Sequence, residues 1–219
     1  MFTLLGLLFI VGSIFSFEQL AAIATVLLVP TLILYYRVVA QRWFLPMVVA
    51  LLLLYARDLF MLQDFGENIE LIFWSFSAAI LILYIFAITG FQKSRMHLVE
   101  FFSLMIMYGF LAFLYYTIAD LVPQVVPSLK MVIYFYIISL SLLLAITFTQ
   151  YLLKSHYASL WLMLASASLL ISELSLFFKL FVISDISVNI FFPLFHVLAY
   201  FAMVKHAINR RPSMRLPGF

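Results

Sequence analysis

Cysteine is absent from the 219 residues, so disulfides and thiolate metal sites are excluded. Charge is scarce: Asp, Glu, Lys and Arg make up 10% of the chain, against about 25% in ordinary soluble domains. The net charge is only +3, and no Lys/Arg-rich tract is long enough to suggest nucleic acid. There is no Walker loop, no HExxH zinc spacing, no GxSxG elbow and no dinucleotide fingerprint. Neither cofactor nor metal is therefore expected. No convincing internal repeat is visible, so the inverted-repeat signature of transporters is missing. Met1–Phe17 has neither a positive leading segment nor a small-x-small cleavage site. It reads as a retained helix rather than a signal peptide.

What the chain has instead is apolar surface, at 67% of residues. A water-soluble fold of this size cannot hide so much, so lipid must be its main solvent. A helix needs about 20 residues to cross the hydrocarbon core. Eight stretches qualify: 2–17, 20–40, 43–62, 69–90, 97–121, 129–153, 157–181 and 187–208. They are continuously apolar rather than alternating in segments of about ten residues, which rejects a β-barrel. Gly66, Gly90, Pro123, Pro127 and Asp185 fall at or near the breaks, as turn chemistry predicts. Pro30, Pro46 and Pro193 fall inside spans, to kink a helix or occupy its first turn. The expected fold is an all-α bundle of eight transmembrane helices, one domain over 1–208, with a basic tail at 209–219.

Orientation follows from Lys and Arg in short loops. Alternate loops carry Arg37 and Arg42, then Lys93 and Arg95, then Lys154, and the tail adds Lys205, Arg210, Arg211 and Arg215. The intervening loops carry Glu18, then Asp64, Glu67 and Glu70, then Asp120, then Asp185, with Lys130 the one base on that side. The alternation predicts both termini in the cytoplasm. The tail is expected to anchor topology or to lie on anionic headgroups.

An ionised group at the bilayer centre costs about 2.5–3.5 kcal/mol on insertion scales. Arg57 and Asp58 in the third span, and Glu173 and Lys179 in the seventh, are therefore the first functional candidates. Asp58 and Glu173 sit at similar depth and could face one cavity as general acid and base. The plainer readings are that Arg57 and Lys179 snorkel to the outer interface and that Asp58 forms a helix-tying ion pair. Glu173 has no base one turn away on its own helix, so it must be protonated, paired across helices or next to water. Ala165, Ser168, Ser172, Ser175 and Lys179 form a small and polar stripe, either a close-packing seam or a cavity wall. His196 lies near mid-membrane, either hydrogen-bonded and neutral or a proton shuttle. A retinal Schiff base on Lys179 is excluded by its place near a helix end and the lack of an Asp counter-ion a turn away.

Four segments, in order, carry a resemblance. They are Val29–Tyr36 (VPTLILYY), Leu51–Leu62 (LLLLYARDLFML), Ala165–Phe181 (ASASLLISELSLFFKLF) and His196–Met203. They resemble, respectively, a Lys-Pro-Leu start, a leucine run ending in Gly-Asp-x-x-Leu, a Ser-Asp segment with a late Lys-Phe, and a Tyr-x-x-Ala-Gln stretch. These belong to the YhhN-type lysoplasmalogenase family of eight-helix membrane proteins. The resemblance implies hydrolysis of the vinyl-ether bond of lysoplasmalogens in a bacterial inner membrane, with Asp58 and Glu173 as the two acids. Arg57, Tyr84, Lys179 and His196 would support them. This chain has Val29 at the family's Lys, Arg57 at its Gly, Leu81 at its helix-4 His, and His196 and Tyr200 at its helix-8 Tyr and Gln. These changes leave open a non-catalytic relative that binds lipid or another membrane protein. A small transporter is disfavoured, because the polar residues gather in one half of the membrane.

Overall fold

The computed structural model describes residues 1–63, 66, 68–89, 97–125, 129–154, 156–182 and 185–210. They form eight helices: α1 (Phe2–Ile14), α2 (Glu18–Ala40), α3 (Leu45–Gln63), α4 (Ile69–Thr89), α5 (Leu98–Val125), α6 (Lys130–Lys154), α7 (Tyr157–Phe181) and α8 (Ile186–Asn209). Seven of them, α2 to α8, are long and apolar enough to cross a membrane. No strand occurs among the described residues. The protein is thus a multi-pass, all-helical membrane protein. The basic tail beyond Arg210, the loop bases Lys93 and Arg95, the loop acids Asp64 and Glu67, and the breaks Gly90 and Pro127 lie outside the described residues.

α1 is shorter than expected. Its 13 residues span about 20 Å at 1.5 Å each, less than the roughly 30 Å hydrocarbon core. It ends in a tight turn, where Ser16 has φ 57° and the Phe17 amide donates to Gly12 O. Two glycines let α1 lie close to its neighbours. A Cβ on Gly6 would come within 2.8 Å of Val197 in α8, and one on Gly12 within 2.8 Å of the Ala21 backbone nitrogen in α2.

Pro123, expected at a break, lies inside the last turn of α5. Pro46 occupies the first turn of α3, where its missing amide costs nothing, while Pro30 and Pro193 sit inside α2 and α8. Acidic caps start two helices. Asp185 Oδ1 accepts from the Ile186 amide at 2.6 Å, and Glu100 reaches back to the His97 amide at 2.8 Å.

Helix neighbours form a closed ring, α2–α3–α4–α6–α7–α8, with α8 also touching α1 and α3. α7 is the most deeply buried helix of the ring. Some 61% of its membrane segment is buried, whereas α5, which packs mainly on α6, is 11% buried. The α7 stripe explains why. Ala165, Ser168, Ser172 and Ser175 are all buried, and α7 meets α8 more extensively than any other helix pair. Small side chains let two backbones approach closely, which is the main packing gain available in lipid. Ser172 donates across this seam to Phe192 O at 3.2 Å. All four stripe residues are buried and Ser172 bonds across to α8; Lys179, at the end of the stripe, is only partly buried.

At one end of the bundle, basic residues gather. Arg42 donates to Arg210 O at 2.7 Å. The Arg210 guanidinium lies 4.6 Å from the Phe44 ring and 5.4 Å from that of Phe86. Arg37 stacks on Trp43 and Lys205 faces Tyr35. The opposite end begins α2, α4 and α8 with Glu18, Glu70 and Asp185.

Candidate functional site

Towards the acidic end of the bundle, four helices, α3, α6, α7 and α8, direct polar side chains to one point. Arg57 is at its centre, 1% exposed. It does not snorkel. Its helix is flanked by others on this face, and the guanidinium points inward to two carboxylates. Nη1 donates to Asp58 Oδ1 at 3.0 Å, and Nη2 donates to Glu173 Oε2 at 2.5 Å. The planar fork of Arg suits two acceptors on different helices, α3 and α7. The Phe76 ring on α4 lies beneath it, 5.6 Å from the guanidinium carbon, so the cation also gains from an aromatic face.

Asp58 spends both oxygens. Oδ2 accepts from His196 Nε2 at 3.1 Å and from the Tyr200 hydroxyl, both on α8. A carboxylate only accepts, so Nε2 carries the histidine proton. Phe9, Phe192 and Tyr200 enclose the imidazole, with ring centroids at 5.7, 5.5 and 4.6 Å. Glu173 Oε2 accepts a second bond from the Tyr136 hydroxyl on α6 at 2.7 Å, and the Tyr136 ring stacks on Phe76 at 4.0 Å. Two acids and one guanidinium leave the cluster with one net negative charge when His196 is neutral.

The cluster is not fully satisfied. Glu173 Oε1, Arg57 Nε and His196 Nδ1 are buried without a hydrogen-bond partner among the described residues. Such atoms cost about 1–3 kcal/mol each if nothing bonds them, more when charged. Arg57, Tyr136 and Glu173 form the polar end of a cleft between α3, α4, α6 and α7. About 100 Å³ of it is open to water-sized groups, and its walls are otherwise apolar, among them Ile72, Phe73, Ile133, Ile137, Leu174 and Phe177. Asp58 does not line it.

Of the candidates drawn from sequence, Arg57, Asp58, Glu173 and His196 come together. Tyr84 and Lys179 do not. Tyr84 donates to Ser139 O at 2.5 Å and ties α4 to α6. The Lys179 ammonium faces the Phe192 ring at 6.0 Å. Sequence reasoning missed Tyr136, one of twelve tyrosines with no local mark to separate it. Tyr200 was legible only as a place where the family pattern changes. No group of three or more His, Asp or Glu that could hold a metal occurs among the described residues.

Fold and site together define a class: a multi-pass helical membrane protein with a buried ion cluster at the inner end of an apolar cleft. Comparison with known family models, curated proteins and solved structures finds no match to this chain.

Proposed function

We propose that this protein handles lipid, taking one hydrocarbon chain of an amphiphile into the α3–α4–α6–α7 cleft with its polar end at Arg57 and Glu173. One observation carries the reading: an unsatisfied buried carboxylate oxygen belongs to a residue lining the polar end of a cleft whose walls are aliphatic and aromatic. Such walls suit a chain rather than a polar metabolite, and the few convergent polar groups fix its orientation. The test is photolabelling with a single-chain lipid carrying a diazirine, on purified protein in nanodiscs. Labelling should map to α4, α6 and α7. It should disappear in Ile137→Trp, which fills the cleft from α6, while melting behaviour is retained. Undiminished labelling in that variant rejects the reading.

The open oxygen of Glu173 favours a second reading, vinyl-ether hydrolysis of a lysoplasmalogen-type lipid. Glu173, having taken up a proton, would pass it to the vinyl carbon; water would add to the oxocarbenium carbon and return a proton to the Glu173 carboxylate, and the hemiacetal would collapse to aldehyde and alcohol. Asp58, with all its bonds directed at Arg57 and α8, would position Arg57 rather than touch the lipid. Release of aldehyde from lysoplasmalogen by the purified protein, lost by about 10²-fold or more in Glu173→Gln, is the expected result. No aldehyde from the wild type, with a stoichiometric partner on purification from native membranes, decides for a non-catalytic lipid-binding subunit.

The topology we propose is eight crossings with both termini cytoplasmic, α1 crossing where the bilayer thins around it. The resemblance suggests the bacterial inner membrane. The absence of native cysteine makes the test clean. Thr3→Cys and Asn209→Cys should react from the same side of the membrane, and Gly66→Cys from the other. Thr3→Cys and Asn209→Cys reacting from opposite sides refutes eight crossings.

A further inference from the structure

We propose that Lys205 and Tyr35 form a site for the phosphate of an anionic phospholipid at the basic end of the bundle, where α8 meets α2. The site is at the opposite end from the cleft and does not rest on the lipid-handling reading. Two polar atoms define it. Lys205 Nζ donates to the Tyr35 hydroxyl at 3.4 Å, a long bond. Both residues are only partly buried. An ammonium has three hydrogens and no acceptor, so two of its donors remain for another partner. The Tyr35 and Phe201 rings, 5.9 and 5.3 Å from Nζ, favour the charge with their faces but leave those donors open. The Tyr35 hydroxyl accepts from Lys205 and so has its own hydrogen to give, for which no acceptor occurs among the described residues. Two donors 3.4 Å apart are within reach of two oxygens of one phosphate group.

Charge and depth select the occupant. No carboxylate pairs with Lys205, Arg37 or Arg42, since the ion pairs among the described residues all lie in the Arg57 cluster. Glu100, which starts α5 on this side, is turned to the His97 amide, and α5 packs on α6 rather than α8. Nothing here would receive a choline or ethanolamine cation, so a head group of net negative charge fits and a zwitterionic one does not. Lys205 precedes the last residue of α8, Asn209, by four positions, about 6 Å along the axis. Around it Phe201 stacks on Phe2 and meets the edge of Trp161, both at 5.8 Å. Such an aromatic belt marks head-group level. A fatty acid fits less well, because a carboxyl beside hydrocarbon tends to its neutral form, whereas a phosphodiester keeps its charge.

The experiment measures lipid association by native mass spectrometry on the full-length protein in mixed micelles, with phosphatidylglycerol and phosphatidylcholine of identical chains. The wild type should hold phosphatidylglycerol roughly tenfold more tightly, the ratio for a charge-assisted hydrogen bond. Lys205→Gln should bring the two lipids close to parity, and Lys205→Arg should keep the preference. Tyr35→Phe leaves the ring against the ammonium and removes only the hydroxyl, so it should cut the preference about threefold or more. Lys130→Gln, which removes a base from the acidic end, should leave it unchanged. Equal binding of the two lipids by the wild type overturns the proposal. So does an equal loss in Lys205→Gln and Lys130→Gln, which would reflect overall charge alone. If Lys205→Gln does not fold, Tyr35→Phe decides, and a full preference in that variant overturns the site. Displacement of phosphatidylglycerol by oleate or by inorganic phosphate at equal concentration would assign the pair to a fatty acid or to a soluble phosphate instead, and overturns it as well.

Discussion

Arg57 holds Asp58 with one terminal nitrogen and Glu173 with the other, so each substitution in the cluster has its own consequence. Arg57→Met strands two carboxylates in a dry interior. It should cost about 3–5 kcal/mol, the usual penalty for breaking a buried ion pair from one side. Adding Asp58→Asn and Glu173→Gln removes the uncompensated charge and should recover most of the loss. Unfolding of the single and the triple variant beside the wild type in mixed micelles reads the difference, and no recovery in the triple variant would mean that the cluster is not held by charge. Tyr136→Phe removes one of two donors to Glu173 Oε2 and should cost about 1.5–3 kcal/mol, the range for a bond to a charged group. Asp58 and Glu173 were visible in the sequence because a carboxylate in a long apolar run is expensive wherever it points. Their sharing of Arg57 was not visible, because snorkelling and cross-bundle pairing look the same along one helix.

Two glycines of α1 and α5 separate packing from propensity. Gly12 lets α1 approach the backbone of α2, where an added Cβ would meet the Ala21 nitrogen at 2.8 Å. A backbone atom cannot rotate away, so Gly12→Ala should destabilise by about 1–3 kcal/mol. Gly109 in α5 has nothing within 4 Å of such a Cβ, so Gly109→Ala should lose nothing and can gain up to about 1 kcal/mol of helix propensity. Parallel melting curves check both, and equal effects would contradict the packing of α1. Seven of the eight helices have the length and apolarity the sequence led one to expect, since hydropathy reports solvent. α1 falls short because its last turn is given up to the reversal around Ser16. The small-residue stripe of α7 was legible in the sequence; that Ser172 would meet α8 was a matter of topology.

The molecule closes on itself at its basic end. Arg42 reaches Arg210 O, and the Arg210 side chain lies over Phe44 and Phe86, so the α2–α3 turn, α4 and the end of α8 are tied together. Arg210→Ala should cost about 1–2 kcal/mol, the worth of a partly desolvated cation–π contact, and should loosen the α8 end without changing the photolabelling of the cleft. A melting curve and a labelling map report the two effects separately. A shift in labelling would show that the two ends are coupled. The cleft lies at the other end, and α5, largely exposed on the outside of α6, takes no part in it.

The chain by itself determined its solvent, its helical class, most of its helix positions and the two acids that could not be indifferent to their surroundings. These follow from transfer energies, which depend on residue type and local run length. Only the tertiary structure decided that the acids meet on one guanidinium, that two tyrosines and a histidine complete the cluster, and that Glu173 rather than Asp58 lines the cleft. Those facts depend on the rotation of five helices about their own axes. Packing fixes those rotations, because in lipid the hydrophobic effect does not distinguish one face of an apolar helix from another.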